Sequence, residues 1–123
     1  MTYIFTNNVL IDTALIETVL IDNDPLVLLC WKISAKRHEK SIRLYASPND
    51  FMKEQEHIPR STPIYIDSNL DDNTKGEDIA QNIYQLGFTQ IYLATGYPER
   101  FLATKSQLCN ICRVVGKDPP WEK

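Results

Sequence analysis

Four residues of this chain, Asp22, Asp67, Thr95 and Lys117, combine two carboxylates, a hydroxyl and an ammonium, and each follows a short apolar run. Asn23 and Asp24 stand beside the first acid, and Asn69 lies two residues after the second. Crowded carboxylates repel one another unless a cation neutralises them. A ligand set of oxygens, without histidine or cysteine, suits a hard cation, and Mg²⁺ is the usual choice. A Mg²⁺ site with few carboxylates and open positions commonly takes phosphate oxygens, and a lysine and a threonine hydroxyl can hold two more. A carboxylate can also be the nucleophile, forming an aspartyl phosphate. The chemistry these types suggest is phosphoryl transfer onto Asp67. Each residue also has a plainer reading: an aspartate that forms a turn, a Thr95-Gly96 turn, a surface lysine.

That chemistry requires the apolar runs to be strands arranged side by side. Thr18 to Asp22 is continuously apolar up to its acid, as in a strand buried on both faces. Asp24-Pro25 reads as a cap followed by a first-turn proline, opening a helix with Leu28, Trp31 and Ala35 on one side. A second strand is expected over Ile42 to Ala46, and Ser47-Pro48 repeats the helix start, with Phe51 facing inward. Pro63 to Asp67 reads as a third strand and Glu77 to Leu86 as a helix closed by Gly87. Gln90 to Ala94 is the fourth strand, Pro98 to Leu108 a helix and Ile111 to Val115 the fifth strand. Alternating strands and helices predict an α/β fold with a doubly wound parallel sheet, whose ligands bind at the carboxyl ends of the strands.

The sequence VLID occurs twice, at Val9 to Asp12 and at Val19 to Asp22. Only the second copy is followed by an acid cluster and a helix start. The first falls in residues 1 to 17, read as an N-terminal extension or linker ahead of a single domain over 18 to 123.

With 123 residues, the sequence has room for one core. Its net charge of −3 argues against a sequence-independent grip on nucleic acid or anionic lipid. Lys32, Lys36, Arg37 and Arg43 read as a solvated face. No apolar run approaches the ~20 residues that span a bilayer, and no signal peptide is evident. Three cysteines, Cys30, Cys109 and Cys112, suit a reducing cytoplasm. The Cys109 to Cys112 spacing alone is a weak metal or redox signal.

From about Thr18 to Lys117 the chain resembles a two-component receiver, or response-regulator, domain. TVLIDNDPLV resembles that family's first strand with its acids, PIYIDSNL its phosphoacceptor strand and KGEDIA the start of its third helix. IYLATG resembles its Thr/Ser strand and VVGK the strand bearing its lysine. The separations fit as well: 45 residues from Asp22 to Asp67, 28 to Thr95 and 22 more to Lys117. The resemblance implies a flavodoxin-like five-stranded sheet. It also implies Asp67 as phosphoacceptor, with Thr95 and Lys117 beside it, and Mg²⁺ held by Asp22, Asn23, Asp67 and the Asn69 carbonyl. Its implied partner is a cytoplasmic histidine kinase or phosphotransfer domain.

The chain departs from the family pattern in four places. Asn23 stands where a second acid is usual, which predicts weaker Mg²⁺ binding, with Asp24 a substitute if it turns inward. Lys117 is followed by Asp118 rather than proline. Val114 stands where an aromatic switch residue is usual. Six residues follow Lys117, so the family's fifth helix is expected to be missing. This shortened pattern, with Trp31 in the first helix, resembles the C-terminal receivers of some hybrid histidine kinases. The apolar extension is then expected to cover the face left open, in its own chain or, in a homodimer, in a partner chain. Two other readings stay open. One is a pseudo-receiver that binds proteins without phosphorylation. The other is a small phosphohydrolase, disfavoured because Asn69 and not an acid stands two residues after Asp67.

Overall fold

The structure, a computed structural model, describes residues 16–70, 73–96 and 111–122, together with the backbone of 3–6 and 9–12. Five strands form one sheet: β3 (Thr18–Ile21), β4 (Ile42–Tyr45), β5 (Ile64–Asp67), β6 (Ile91–Ala94) and β7 (Arg113–Val115). Their order is β4-β3-β5-β6-β7 and every pairing within the sheet is parallel. This is the flavodoxin-like order, in which the chain reverses direction across the sheet beside β3. In register, Leu20 lies between Leu44 and Tyr65, and Asp67 lies opposite Ala94.

All four residues of β3 and all four of β5 are buried, as continuous apolar runs in a parallel sheet should be. Alternate side chains divide between two layers. Val19, Ile21, Ile64, Ile66 and Leu93 face one side. There they meet Phe51 of α2 (Pro48–Glu54), Ala80 and Ile83 of α3 (Gly76–Gln85), and Phe88. Leu20, Tyr65, Tyr92 and Val115 face the other side, under Trp31 of α1 (Pro25–Arg37). Helices on both faces make the sheet doubly wound.

The helix starts follow the sequence chemistry. The Asp24 carboxylate accepts the Leu26 N–H at 2.9 Å and the Ser47 hydroxyl accepts the Asp50 N–H at 3.2 Å, each just before a first-turn proline. Past α3, Gly87 takes a φ of 103°, the left-handed conformation that lets glycine end a helix. Lys32, Lys36 and Arg37 are solvent-facing, as expected, whereas Arg43 lies on β4, partly buried, with its guanidinium 3.7 Å from the Glu54 carboxylate. Unexpectedly, Leu26, Leu29 and Ile33 of α1 are exposed too. The helix expected over Pro98 to Leu108 lies outside the described residues, and so does Cys109. Cys112 is buried in the larger apolar layer and Cys30 is exposed.

Beyond β7 the described residues form no fifth helix. A 3-10 turn, Pro120–Glu122, lies against α1 instead, with Trp121 edge-on to Trp31 at a centroid distance of 5.7 Å. Part of the face expected to be open is thus closed by one aromatic ring. The first VLID is a strand, β2 (Val9–Asp12), paired antiparallel with β1 (Tyr3–Thr6) in a two-stranded sheet of its own. The expected packing of that extension falls on side chains outside the described residues. Glu17, placed in the extension by sequence, donates its N–H to the Ser41 carbonyl at 2.9 Å, and Ile16 packs on the core. Among the described residues no helix is long and apolar enough to cross a membrane.

Candidate functional site

Parallel strands bring their carboxyl ends to one edge, and there the sheet gathers the residues singled out by sequence. Asp22 follows β3 and is fully buried; Asp67 ends β5 and is 4% exposed. Lys117, two residues past β7, reaches between them. Its ammonium lies 2.7 Å from Asp67 Oδ1 and 3.5 Å from Asp22 Oδ2. Thr95 follows Ala94, the residue opposite Asp67, and is buried, its N–H donating to the Val115 carbonyl at 3.0 Å. Asp22, Asp67 and Lys117 therefore form one cluster, with Thr95 at the adjacent strand end.

The cluster holds two carboxylates and one ammonium. Burial raises the Asp22 pKa; the Asp24 N–H, donated at 2.9 Å, opposes the shift, the Asp67 charge adds to it and Lys117 opposes it. Burial works against the Lys117 charge, but the hydrogen bond to Asp67 and the fields of Asp22 and Asp67 outweigh it, and its pKa is raised. Ion pairs removed from water survive only with good geometry and further hydrogen bonds. Here those come from the N–H groups of Asp24 to Asp22 and of Asn69 to Asp67, the latter at 3.3 Å.

The loop after β5 is folded back tightly. Asn69 pairs with Lys75 in an antiparallel bridge and the Gly76 N–H donates to the Ser68 carbonyl at 3.1 Å. A Cβ on Gly76 would stand 2.2 Å from the Asp67 carbonyl oxygen and 2.8 Å from Ser68 Cα, so only glycine lets α3 begin against the end of β5. Within KGEDIA nothing local marks this glycine, because the close approach is to a strand end nine residues away.

Two of the candidate metal ligands have other partners. The side-chain amide nitrogen of Asn23 donates to the Leu70 carbonyl, tying the loop after β3 to the loop after β5. Asp24 does not turn inward, because its carboxylate caps α1. Among the described residues no group of three or more His, Cys, Asp or Glu side chains could hold a metal. The acidic pair Asp22 and Asp67, with a backbone carbonyl such as that of Asn69, still suits a hard cation that keeps several waters. The pair carries one negative charge beyond what Lys117 neutralises.

What holds Lys117 is a contact distant in sequence. Its carbonyl accepts a hydrogen bond from the Trp31 indole at 3.1 Å. Trp31 was legible as a core residue of α1; the direction of its N–H was not. Val114 packs partly buried against the larger apolar layer.

No family model and no curated protein matches the chain. Solved structures do. A fusion chain carrying the yeast Spc42 trimeric coiled coil aligns with a TM-score of 0.68 at 12% identity, over 85% of this chain and 70% of that one. A chain described as adenylate cyclase from Rhodopirellula baltica aligns with a TM-score of 0.63 at 17% identity, over 88% and 81%. An uncharacterized protein from Neptuniibacter caesariensis gives 0.61 at 16%, over 81% and 74%. Likeness at such identities speaks for the fold alone.

Proposed function

We propose that this domain is a phosphoacceptor receiver of two-component signalling, in which Asp67 takes a phosphoryl group from the phosphohistidine of a histidine kinase or phosphotransfer domain. The observation that carries the reading is the contact of Lys117 with both Asp67 and Asp22 at the carboxyl edge of a β4-β3-β5-β6-β7 sheet. In the transfer a carboxylate oxygen of Asp67 bonds to phosphorus and the P–N bond breaks. The electron pair stays on the donor imidazole. Lys117, now paired with Asp67, is placed to follow the negative charge onto a phosphoryl oxygen, and Thr95 offers a hydroxyl from the next strand end. Asp22, Asp67 and the Asn69 carbonyl are the groups that would hold Mg²⁺. When bound, Mg²⁺ supplies the positive charge that two carboxylates and a phosphoryl group require.

A specific observation favours a second reading, the pseudo-receiver that binds partners without phosphorylation. Asp24 caps α1 and position 23 carries no charge, so the cation would be held by two carboxylates at most. One experiment separates the two. The chain is incubated with acetyl phosphate and Mg²⁺ and its intact mass is measured. A receiver gains about 80 Da at one site, the mass of one phosphoryl group, and Asp67→Asn abolishes the gain. Label retained in Asp67→Asn, or none in the native protein at saturating Mg²⁺, sinks the phosphoacceptor reading.

A further inference from the structure

Lys117 is the one residue of the acidic cluster whose backbone has little sheet around it. It lies past β7, a strand of three residues that among the described residues pairs on one side only, with β6. A lysine ammonium sits at the end of a flexible four-carbon stem, so its place depends on where the backbone below it is fixed. The structure fixes that backbone from α1. The Trp31 indole N–H donates to the Lys117 carbonyl at 3.1 Å. Trp31 is 1% exposed, tilted against Tyr65 at 5.4 Å and edge-on to Trp121. Trp121 donates its own indole N–H to Ser34 Oγ at 2.8 Å, and the Ser34 hydroxyl donates to a carboxylate oxygen of Glu122. The segment carrying Lys117 is therefore held to one helix at two points, the Lys117 carbonyl and the Pro120–Glu122 turn.

We infer that Trp31 is a positioning residue for Lys117: its indole N–H, backed by the Trp121 turn, fixes the backbone from which the ammonium spans Asp22 and Asp67. The second half of the test below rests on the phosphoacceptor reading; the first half does not. Trp31→Phe keeps a ring in the core and removes the donor. In metal-free buffer, a double-mutant cycle of Lys117→Met and Asp67→Asn reads the coupling between those two side chains as a ratio of unfolding constants. The ratio should fall about threefold or more when the cycle is repeated in Trp31→Phe. A merely structural tryptophan would lower overall stability and leave the ratio unchanged. With acetyl phosphate and Mg²⁺, Trp31→Phe should label Asp67 about tenfold more slowly, yet cause no further loss in a Lys117→Ala background.

A coupling ratio that is unchanged in folded Trp31→Phe, or absent in the native protein, overturns the inference. So does a full further loss in the Lys117→Ala background. If Trp31→Phe does not fold, Trp121→Phe, which loosens the same segment from its partly exposed end, carries the test. It should lower the ratio in the same sense, and an unchanged ratio there overturns the inference. A native protein that shows the coupling but takes no label sinks the phosphoacceptor reading and leaves the coupling result standing.

Discussion

Lys117 and Asp67 meet at 2.7 Å, with a second carboxylate, Asp22, 3.5 Å from the same ammonium. Among the described residues one cation thus serves two buried acids and leaves a negative charge uncompensated. Such an arrangement costs stability in the free protein and favours whatever brings in positive charge. The Asp22 pKa reflects that cost, since burial comes first among its causes and raises it.

Asp22→Asn should therefore stabilise the metal-free protein at neutral pH. The sign follows from proton counting. With a native pKa above the ordinary 3.8, the folded state binds more protons than the unfolded chain just above that pH. Stability then falls as pH rises through the native pKa, and the loss persists at neutrality. Urea denaturation at a series of pH values should show this slope in the native protein and a flatter profile in Asp22→Asn. A less stable variant at neutral pH would mean that Lys117 needs both acids more than the acids repel.

Asn23→Asp should tighten Mg²⁺ binding, because a carboxylate replaces an amide beside Asp22 and Asp67. At an effective dielectric near 20, unit charges about 4 Å apart interact by about 4 kcal/mol, and desolvation offsets much of that. The substitution also removes the amide hydrogen bond to the Leu70 carbonyl, so the loop after β5 should loosen in the metal-free state. Calorimetric titration reads the first effect, and hydrogen exchange of residues 68–75 reads the second. Equal Mg²⁺ affinity in both proteins would show that position 23 faces away from the cation.

Much of this was legible in sequence. Continuous apolar runs ending in Asp22 and Asp67 marked buried parallel strands, and the cap-proline pairs at Asp24-Pro25 and Ser47-Pro48 marked helix starts within a residue. Strand ends converge in a parallel sheet, so the gathering of Asp22, Asp67 and Lys117 followed from topology. Side-chain direction did not, because the same residue type serves different ends according to the loop. Asp24 looked like a spare ligand and is a helix cap, and the Asn23 amide, whose oxygen was read as a ligand, ties two loops through its nitrogen. The Trp31 contact joins residues 86 positions apart, beyond the reach of any local pattern.

Gly76→Ala should be strongly destabilising, by roughly 2 kcal/mol or more, although alanine ordinarily favours a helix by up to ~1 kcal/mol over glycine. The added Cβ would stand 2.2 Å from the Asp67 carbonyl oxygen, and the neighbouring atoms are backbone with nowhere to swing. Relief requires α3 or the end of β5 to shift, so Mg²⁺ affinity should fall along with the melting temperature. Thermal unfolding with and without Mg²⁺ measures both. Unchanged stability would mean that α3 does not begin against the end of β5.

The last prediction concerns β1 and β2, the pair that carries the first VLID. A two-stranded hairpin is at best marginally stable alone in water, and among the described residues this one pairs with no strand of the main sheet. Its sequence is apolar, and α1 exposes Leu29 and Ile33. If the hairpin covers that helix face, within one chain or between two copies, burial should hold it at about 25 cal/mol per Å² removed from water. The deletion should end at residue 15, since Ile16 packs on the core and Glu17 is bonded to Ser41. Removing residues 1–15 is expected to lower the melting temperature by several degrees, on the order of 4 °C for each kcal/mol lost in a domain of this size. Where the hairpin joins two copies, light scattering should also show the mass fall by half. If neither the melting temperature nor the mass moves, the hairpin is a tether and the exposed side of α1 is free for another partner.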